Sequence, residues 1–280
     1  MRRLTGFLIA TVLVLAGCTD GDESGSDKTL ILATTTSTQD SGLLDVLLPA
    51  FTRDTGWTVK PVAVGSGQAI ELGERGEADV LFVHSPAAEE ELVGTGLTGR
   101  RVLVMHNDFV VLGPEDDPAG TGDLSAPDIF KKVAEEEEVF VSRGDDSGTH
   151  TKEQALWAAA GIEPAGDWYT STGQGMAATL RIADEREGYT LSDRATFLTQ
   201  EDTLDLEIVG EGDPELLNVY HVIEMTEKAG DKVHIDGAAA FADWIVSASA
   251  QQMIGDFGQE EYGQSLFTPD AGKDPDDLGA

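Results

Sequence analysis

The sequence predicts an α/β protein built from two lobes that are joined by two crossing strands. Short apolar strands alternate with amphipathic helices along the 280 residues, which is typical of an α/β fold with a mainly parallel sheet. The alternation occurs twice, and a turn-rich segment at 114–122 separates the two series. We expect the chain to leave the first lobe near 109–114 and to return near 218–224. Two crossings make a hinge, and a ligand would bind in the crevice between the lobes.

The elements of the first lobe follow from the spacing of its apolar residues. In its first helix such residues recur at helical spacing between Leu43 and Phe51, and we expect Pro49 to bend or end that helix. The predicted strands of this lobe lie at 29–33, 58–64 and 78–83, and its predicted helices at 42–51, 68–75 and 86–93.

An extended apolar run at 101–112 leads into the second lobe. This lobe is predicted to contain helices at 127–137, 151–160 and 175–186, a strand at 139–142, and further elements at 190–198, 206–209 and 219–225. A last helix at 237–257 would return to cover the first lobe. We therefore assign residues 29–111 and 225–280 to lobe 1 and residues 112–224 to lobe 2.

The composition limits the classes of function. With 40% hydrophobic residues the chain can bury a full core, whereas its formal net charge of −34 argues against nucleic-acid binding, because no basic patch could neutralise phosphates. The acidic residues are spread along the whole chain, which predicts a surface adapted to very high salt. At molar salt the Debye length falls to roughly 3 Å, so repulsion between surface carboxylates is largely screened.

Residues 1–17 are predicted to be a secretion signal, because Arg2 and Arg3 precede an apolar run that is too short for a membrane span. The sequence Leu-Ala-Gly-Cys that ends at Cys18 resembles the lipobox of secreted lipoproteins, which implies cleavage before Cys18 and its lipidation. A small-residue cleavage site with an incidental cysteine is the alternative. Residues 18–28 then form a flexible tether. We expect an extracytoplasmic protein that is anchored to the outer face of the cell membrane.

Two loops rich in hydrogen-bond donors, one in each lobe, are candidates for binding a small oxyanion. An oxyanion without protons only accepts hydrogen bonds, so several donors must converge to offset the cost of its desolvation. Hydroxyls and the backbone N–H groups of helix N-termini can supply them. Helix capping or a plain turn is the alternative explanation. In lobe 1 the candidates that follow the three strands are Thr35, Thr36, Ser37, Ser66, Gly67 and Ser85.

In lobe 2 the strongest candidate is Arg143, whose guanidinium matches two oxygens of an oxyanion at once. An ion pair with Asp145 or Asp146 is the alternative, and both roles could hold together. Asp145 could also accept a proton from hydrogen phosphate. The remaining candidates in this lobe are Ser147, Gly148, Thr149 and Gly175, of which Gly175 would begin a second helix that faces the cleft.

The sequence offers little for catalysis. It has no H-E-x-x-H motif, no cysteine–histidine set, no EF-hand loop and no G-x-S-x-G elbow. Residues 173–178 fit G-x-G-x-x-A, but they do not follow a clear hydrophobic strand, so nucleotide binding is disfavoured. We therefore expect neither an enzyme, nor a cofactor, nor a protein-bound metal ion.

The loops and their neighbours resemble the tungstate-binding proteins of ABC importers, a branch of the periplasmic-type solute-binding proteins. The match extends from Ala33 to Pro269, and it is carried by residues 33–38, 65–69, 78–86, 107–110, 142–150, 173–176 and 189–194. The resemblance implies a two-lobed type II periplasmic-binding-protein fold without catalysis, which captures tungstate for a membrane permease and its ATPase. It also implies contacts to the oxyanion from Thr36, Ser37, Arg143, Ser147 and Thr149.

Other functions stay open at this point. The same scaffold would serve for molybdate, sulfate or phosphate, because tetrahedral dianions differ little in size and protonation. An enzyme that acts on a phosphorylated substrate would use the donor loops as a phosphate cradle, and an anion sensor would bind without transport. We expect a monomer.

Overall fold

The computed structural model describes residues 28–274 and Leu278. The predicted signal segment, Cys18 and nearly all of the tether lie outside the described residues. None of the helices in the described part of the chain combines the length and the apolar composition that a membrane span requires.

The sheet of lobe 1 is built around β1 (Thr29–Thr35), which pairs in parallel with β2 (Thr58–Val64) on one side and with β3 (Val80–Val83) on the other. Leu30 and Leu32 on one face and Ala33 on the other are buried, as expected for a strand covered by helices. The helices that connect these strands are α1 (Thr36–Asp40), α2 (Leu43–Thr55), α3 (Ser66–Glu74) and α4 (Pro86–Gly94).

The strand β4 (Thr98–Pro114) is 17 residues long and belongs to both lobes. Its residues up to Asp108 pair with β9 (Leu217–Met225), which also pairs with β3 of lobe 1. From Phe109 onward it pairs instead with β7 (Thr190–Asp193) and β8 (Leu206–Gly210) of lobe 2. The lobe boundaries stay a prediction, but these pairings favour a division at Asp108–Phe109 and just before β9.

The expectation of a mainly parallel sheet is wrong, because the sheet is mixed. The strand β4 runs antiparallel to β9, β7, β8 and β10 (Thr268–Pro269), and β3 runs antiparallel to β9. Parallel neighbours need a crossover connection such as a helix, whereas β4 and β9 enter the sheets by crossing between the lobes. Among the strands that the structure describes, only those with helical connections inside one lobe are parallel.

Lobe 2 surrounds an aromatic core. The rings of Phe130, Phe140 and Trp157 lie with centroids 4.5–5.2 Å apart, and all three side chains are buried. The remaining elements of this lobe are α5 (Ala126–Glu136), β5 (Phe140–Ser142), α6 (Gly148–Ala159), β6 (Tyr169–Ser171), α7 (Met176–Glu185) and α8 (Arg194–Leu198).

The C-terminal segment covers lobe 1, but it consists of separate helices, α9 (Ile235–Ile245), α10 (Ala248–Asp256) and α11 (Gln259–Tyr262). The predicted single helix is interrupted because the Ser247 hydroxyl caps α10 by accepting a hydrogen bond from the Ala250 N–H. Phe241 of α9 packs edge-on against Phe51 of α2, with ring centroids 5.1 Å apart. Pro49 does not end α2, and the residues after it are held by their burial in this core.

Candidate functional site

The first donor loop lies at the carboxyl end of β1, and Thr35 is its centre. The Thr35 hydroxyl lies 2.7 Å from Thr38 Oγ1, 3.1 Å from Ser37 Oγ and 3.0 Å from His84 Nε2, and it caps α1 by accepting from the Thr38 N–H. Thr35 and Ser37 are buried, whereas Thr36 is half-buried. The capping role is therefore present at Thr35, and it fixes the neighbouring Ser37 hydroxyl.

His84 follows β3 and holds this loop in place. Its Nε2 lies 3.0 Å from Thr35 Oγ1 and 3.3 Å from Ser37 Oγ, and its ring lies 4.7 Å from that of Tyr220. Burial lowers the pKa of His84 to about 4, so the ring is neutral at pH 7 and contributes hydrogen bonds rather than charge. His84 is not among the candidates selected from the sequence, although its position directly after a buried strand was a usable signal.

The second loop of lobe 1 opens α3. Gly65 is the N-cap of that helix, and the hydroxyl of the buried Ser66 has no hydrogen-bond partner within the described part of the chain. Gly67 is exposed. Ser85 is half-buried, and its backbone N–H already donates to Glu89 Oε1 at 2.7 Å, so that amide is not available to a ligand.

Arg143 follows β5 and is only 3% exposed. Its Nη2 donates to Asp145 Oδ2 at 2.6 Å, so the ion pair considered as an alternative is present. Its Nε–H is buried and has no partner among residues 28–274, which leaves a charged donor for a ligand. The aspartate thus orients the guanidinium without using all of its donors.

Asp145 organises the rest of this loop. Burial raises its pKa, but hydrogen bonds from Ser147 and from the Arg143 guanidinium outweigh that effect and hold the pKa below its usual range. The Ser147 N–H donates to Asp145 Oδ1 at 3.3 Å, and the Ser147 hydroxyl caps α6 by accepting from the His150 N–H. The helix therefore begins at Gly148, three residues earlier than the sequence predicted.

Gly148 is one point at which the two lobes meet. A Cβ atom placed on Gly148 would lie 2.7 Å from His84 Cε1 and 3.0 Å from Ser66 Oγ, both of lobe 1. The next residue, Thr149, is buried, and no described residue bonds its hydroxyl. The first residue of α6, Gly148, thus lies against Ser66 at the N-terminus of α3, and only glycine allows so close an approach.

Gly175 lies farther from this junction. It is the exposed N-cap of α7, and its carbonyl accepts from the Thr179 N–H at 3.0 Å. The loop before it is tied to the arginine, because the Gly173 N–H and the Thr172 hydroxyl both donate to the Arg143 carbonyl. Within the described residues Gly175 forms no hydrogen bond to Gly148, Ser66 or His84.

The buried atoms that can donate a hydrogen bond and have no partner in the described ranges include four at these loops: Ser66 Oγ, His84 Nδ1, Arg143 Nε and Thr149 Oγ1. Such atoms carry a desolvation cost unless a ligand accepts from them. No group of three or more His, Cys, Asp or Glu side chains in residues 28–274 could hold a metal ion. The arrangement suits an acceptor-only anion.

Comparison with known proteins agrees with an anion-binding site. Residues 22–249 match the model of the PBP superfamily domain. The tungstate-binding protein TupA of Peptoclostridium acidaminophilum is 49% identical over 98% of this chain and 100% of its own length. A putative ABC transporter anion-binding protein of Haloferax volcanii is 44% identical over 94% of this chain and 83% of its own length.

A similar structure has been solved. The tungstate-binding protein TupA of Desulfovibrio alaskensis G20 superimposes with a TM-score of 0.76 at 43% identity, and the match covers 87% of this chain and 99% of that protein. The shared fold extends over both lobes, so the likeness is not limited to one donor loop.

Proposed function

Since this chain belongs to the tungstate-binding proteins of the PBP superfamily, we propose that it captures tungstate outside the cytoplasm and delivers it to an ABC permease and its ATPase. The residues that we propose to contact the oxyanion are those selected from the sequence, with Arg143, Ser66 and Thr149 as the principal donors and His84 as an addition.

The observation that carries this proposal is the set of buried donors without a partner in the described residues, Ser66 Oγ, Arg143 Nε and Thr149 Oγ1, on both sides of the contact at Gly148. Removing a dianion from water costs several kcal/mol. Hydrogen bonds to a charged group contribute about 1.5–3 kcal/mol each, so several converging donors can offset that cost. Both lobes contribute donors, so the anion is gripped fully only when the lobes are closed.

Titration calorimetry at high salt tests the ligand. We expect tungstate to bind more tightly than molybdate, sulfate and phosphate, and to raise the melting temperature because it binds only the folded protein. Tighter binding of phosphate than of tungstate would contradict the choice of ligand but not the anion site. Turnover of a phosphoester such as p-nitrophenyl phosphate by pure protein would instead support the phosphate-cradle enzyme.

We also propose that the mature protein is a lipoprotein attached to the outer face of the membrane through Cys18, and that it is monomeric in solution. In cells, Cys18→Ser should move the protein from the membrane fraction to the medium without loss of tungstate binding. Retention of the serine variant in the membrane would show that another segment anchors the chain. Size-exclusion chromatography with light scattering reports the oligomeric state.

A further inference from the structure

A buried aspartate of lobe 2 lies at the same sheet edge as Arg143. The strands β5 and β7 are neighbours, because Phe140 and Tyr189 form a parallel bridge and the Val141 N–H donates to the Tyr189 carbonyl at 2.8 Å. The carboxyl ends of parallel neighbours meet at one edge. Asp193, the last residue of β7, therefore emerges beside Arg143, and the positive charge of Arg143 acts on it.

Lobe 1 approaches the same aspartate from the other side. Burial and the negative charge of Asp193 together raise the pKa of Tyr220, which places the two side chains in one electrostatic neighbourhood. The Tyr220 hydroxyl accepts from Asn218 Nδ2 at 3.2 Å, and the Tyr220 ring lies against that of His84. Asp193 thus follows the strand next to that of Arg143, and its charge is felt both by Arg143 of lobe 2 and by Tyr220 of lobe 1.

The two carboxyl oxygens of Asp193 differ. Its side chain is only 2% exposed, and Oδ1 accepts from the Thr196 N–H at 2.8 Å. Oδ2 is buried and lacks a partner among the residues that the structure describes. Burial raises the pKa of Asp193, because a carboxylate out of water is costly, and the hydrogen bonds from Thr196 and the charge of Arg143 offset only part of that effect. A neutral acid removes that cost if its proton can be donated.

The chemistry of the bound oxyanion determines whether the ionised or the protonated form of the Asp193 carboxyl group is favoured. Tungstate carries no proton and offers only acceptor oxygens, so an ionised Asp193 would repel it and could not bond to it. A protonated Oδ2 donates to it instead. Hydrogen phosphate would reverse this preference, because its own proton could be donated to an ionised carboxylate.

We propose that Asp193 enters the tungstate complex as a neutral carboxylic acid that donates its Oδ2–H to the bound oxyanion, so that at alkaline pH tungstate binds together with one proton. This inference rests on the proposed function. The proton comes from solvent and stays on Oδ2, and no bond within tungstate breaks. The charged and titratable groups that interact electrostatically with Asp193 are Arg143 and Tyr220. The charge of Arg143 also acts on Asp145, Asp40 and His84.

Calorimetry in two buffers with different heats of protonation, repeated between about pH 6 and 9, measures the protons taken up with tungstate. We expect the wild type to approach one proton at the alkaline end, where its affinity falls by about tenfold per pH unit. Asp193→Asn keeps an N–H donor near this position, so it should bind tungstate with an affinity that does not change with pH and without proton uptake. The matched control Asp40→Asn removes an exposed carboxylate that also feels Arg143, and it should behave as the wild type.

The outcomes separate this inference from the proposed function. If the wild type does not bind tungstate, the proposed function fails. If the wild type binds tungstate without proton uptake up to about pH 9, or if Asp193→Asn binds with the same uptake, the role of Asp193 is wrong and the ligand stands. The wild-type measurement decides the question alone if the asparagine variant does not fold.

Discussion

Gly148 of lobe 2 packs directly on His84 of lobe 1. A Cβ atom on Gly148 would lie 2.7 Å from His84 Cε1, closer than a carbon–carbon contact allows. This contact joins the helix that follows the arginine loop to the histidine that holds the threonine–serine loop. The two donor loops are thus connected through one glycine and one imidazole, and the distance between the lobes at the site depends on both.

Gly148→Ala should therefore weaken tungstate binding by more than tenfold, about 1.4 kcal/mol, because the added methyl group keeps the lobes apart. The fold should persist, since alanine is favoured over glycine in a helix. Gly94→Ala is the matched control, because a Cβ at Gly94 meets nothing within 4 Å. Calorimetry gives the affinity and a thermal melt gives the stability. Equal affinity in the two variants would show that closure at Gly148 is not required.

Arg143→Ala should weaken oxyanion binding by well over tenfold while the protein stays folded without ligand. The substitution removes a charged donor whose bonds contribute about 1.5–3 kcal/mol each. Arg53→Ala removes a 69% exposed arginine and should leave binding unchanged. Binding is measured by titration calorimetry and folding by circular dichroism. Unchanged affinity in Arg143→Ala would show that its pairing with Asp145 is structural only.

The stability of the protein should fall as the pH decreases from about 6.5 to about 4, because the pKa of His84 lies near 4 in the fold. Across that window the unfolded chain binds a proton at His84 and the folded protein does not, so protonation favours unfolding. The expected loss from this residue is on the order of 3 kcal/mol. His84→Gln should show a shallower dependence of the unfolding free energy on pH, measured by urea titration. An identical slope in both proteins would exclude His84 as the source.

The melting temperature should rise steeply with salt. A formal net charge of −34 destabilises the compact state by self-repulsion, which potassium chloride between about 0.1 and 2 M screens. Chloride could also act as a ligand, so the scan is repeated on Arg143→Ala. A parallel rise in both proteins assigns the effect to the surface charge. A rise confined to the wild type would assign it to the anion site and contradict a surface adapted to high salt.

The order of strands and helices was predictable because it depends on local spacing of apolar residues. The bounds of β2, for example, agree with the prediction at both ends. The start of α6 was placed too late, since glycine and threonine are weak helix formers and the cap at Ser147 decides where the helix begins. The antiparallel partners of β4 were not predicted, because they lie far away in the sequence.

In the candidate site, too, features that depend on local sequence were predictable and features that depend on distant segments were not. Runs of hydroxyls, glycines and an arginine before helices identified the donor loops from composition alone. His84 and Asp193 were not selected from the sequence, because their significance depends on distant segments: His84 contacts Thr35, and Asp193 is within the electrostatic influence of Arg143 and Tyr220. Whether each selected residue binds the ligand stays a prediction for the experiments above.

The unbroken strand β4 has a consequence for how such a protein can diversify. Residues 98–108 of β4 pair within lobe 1 and residues 109–114 pair within lobe 2. Dividing the chain anywhere in β4 therefore leaves at least one lobe without part of its sheet. Recombination that exchanged one lobe for that of a relative would also have to restore the strand pairing of β4 in both lobes. New ligand preferences should therefore arise by single changes in the loops at the cleft, rather than by shuffling of lobes.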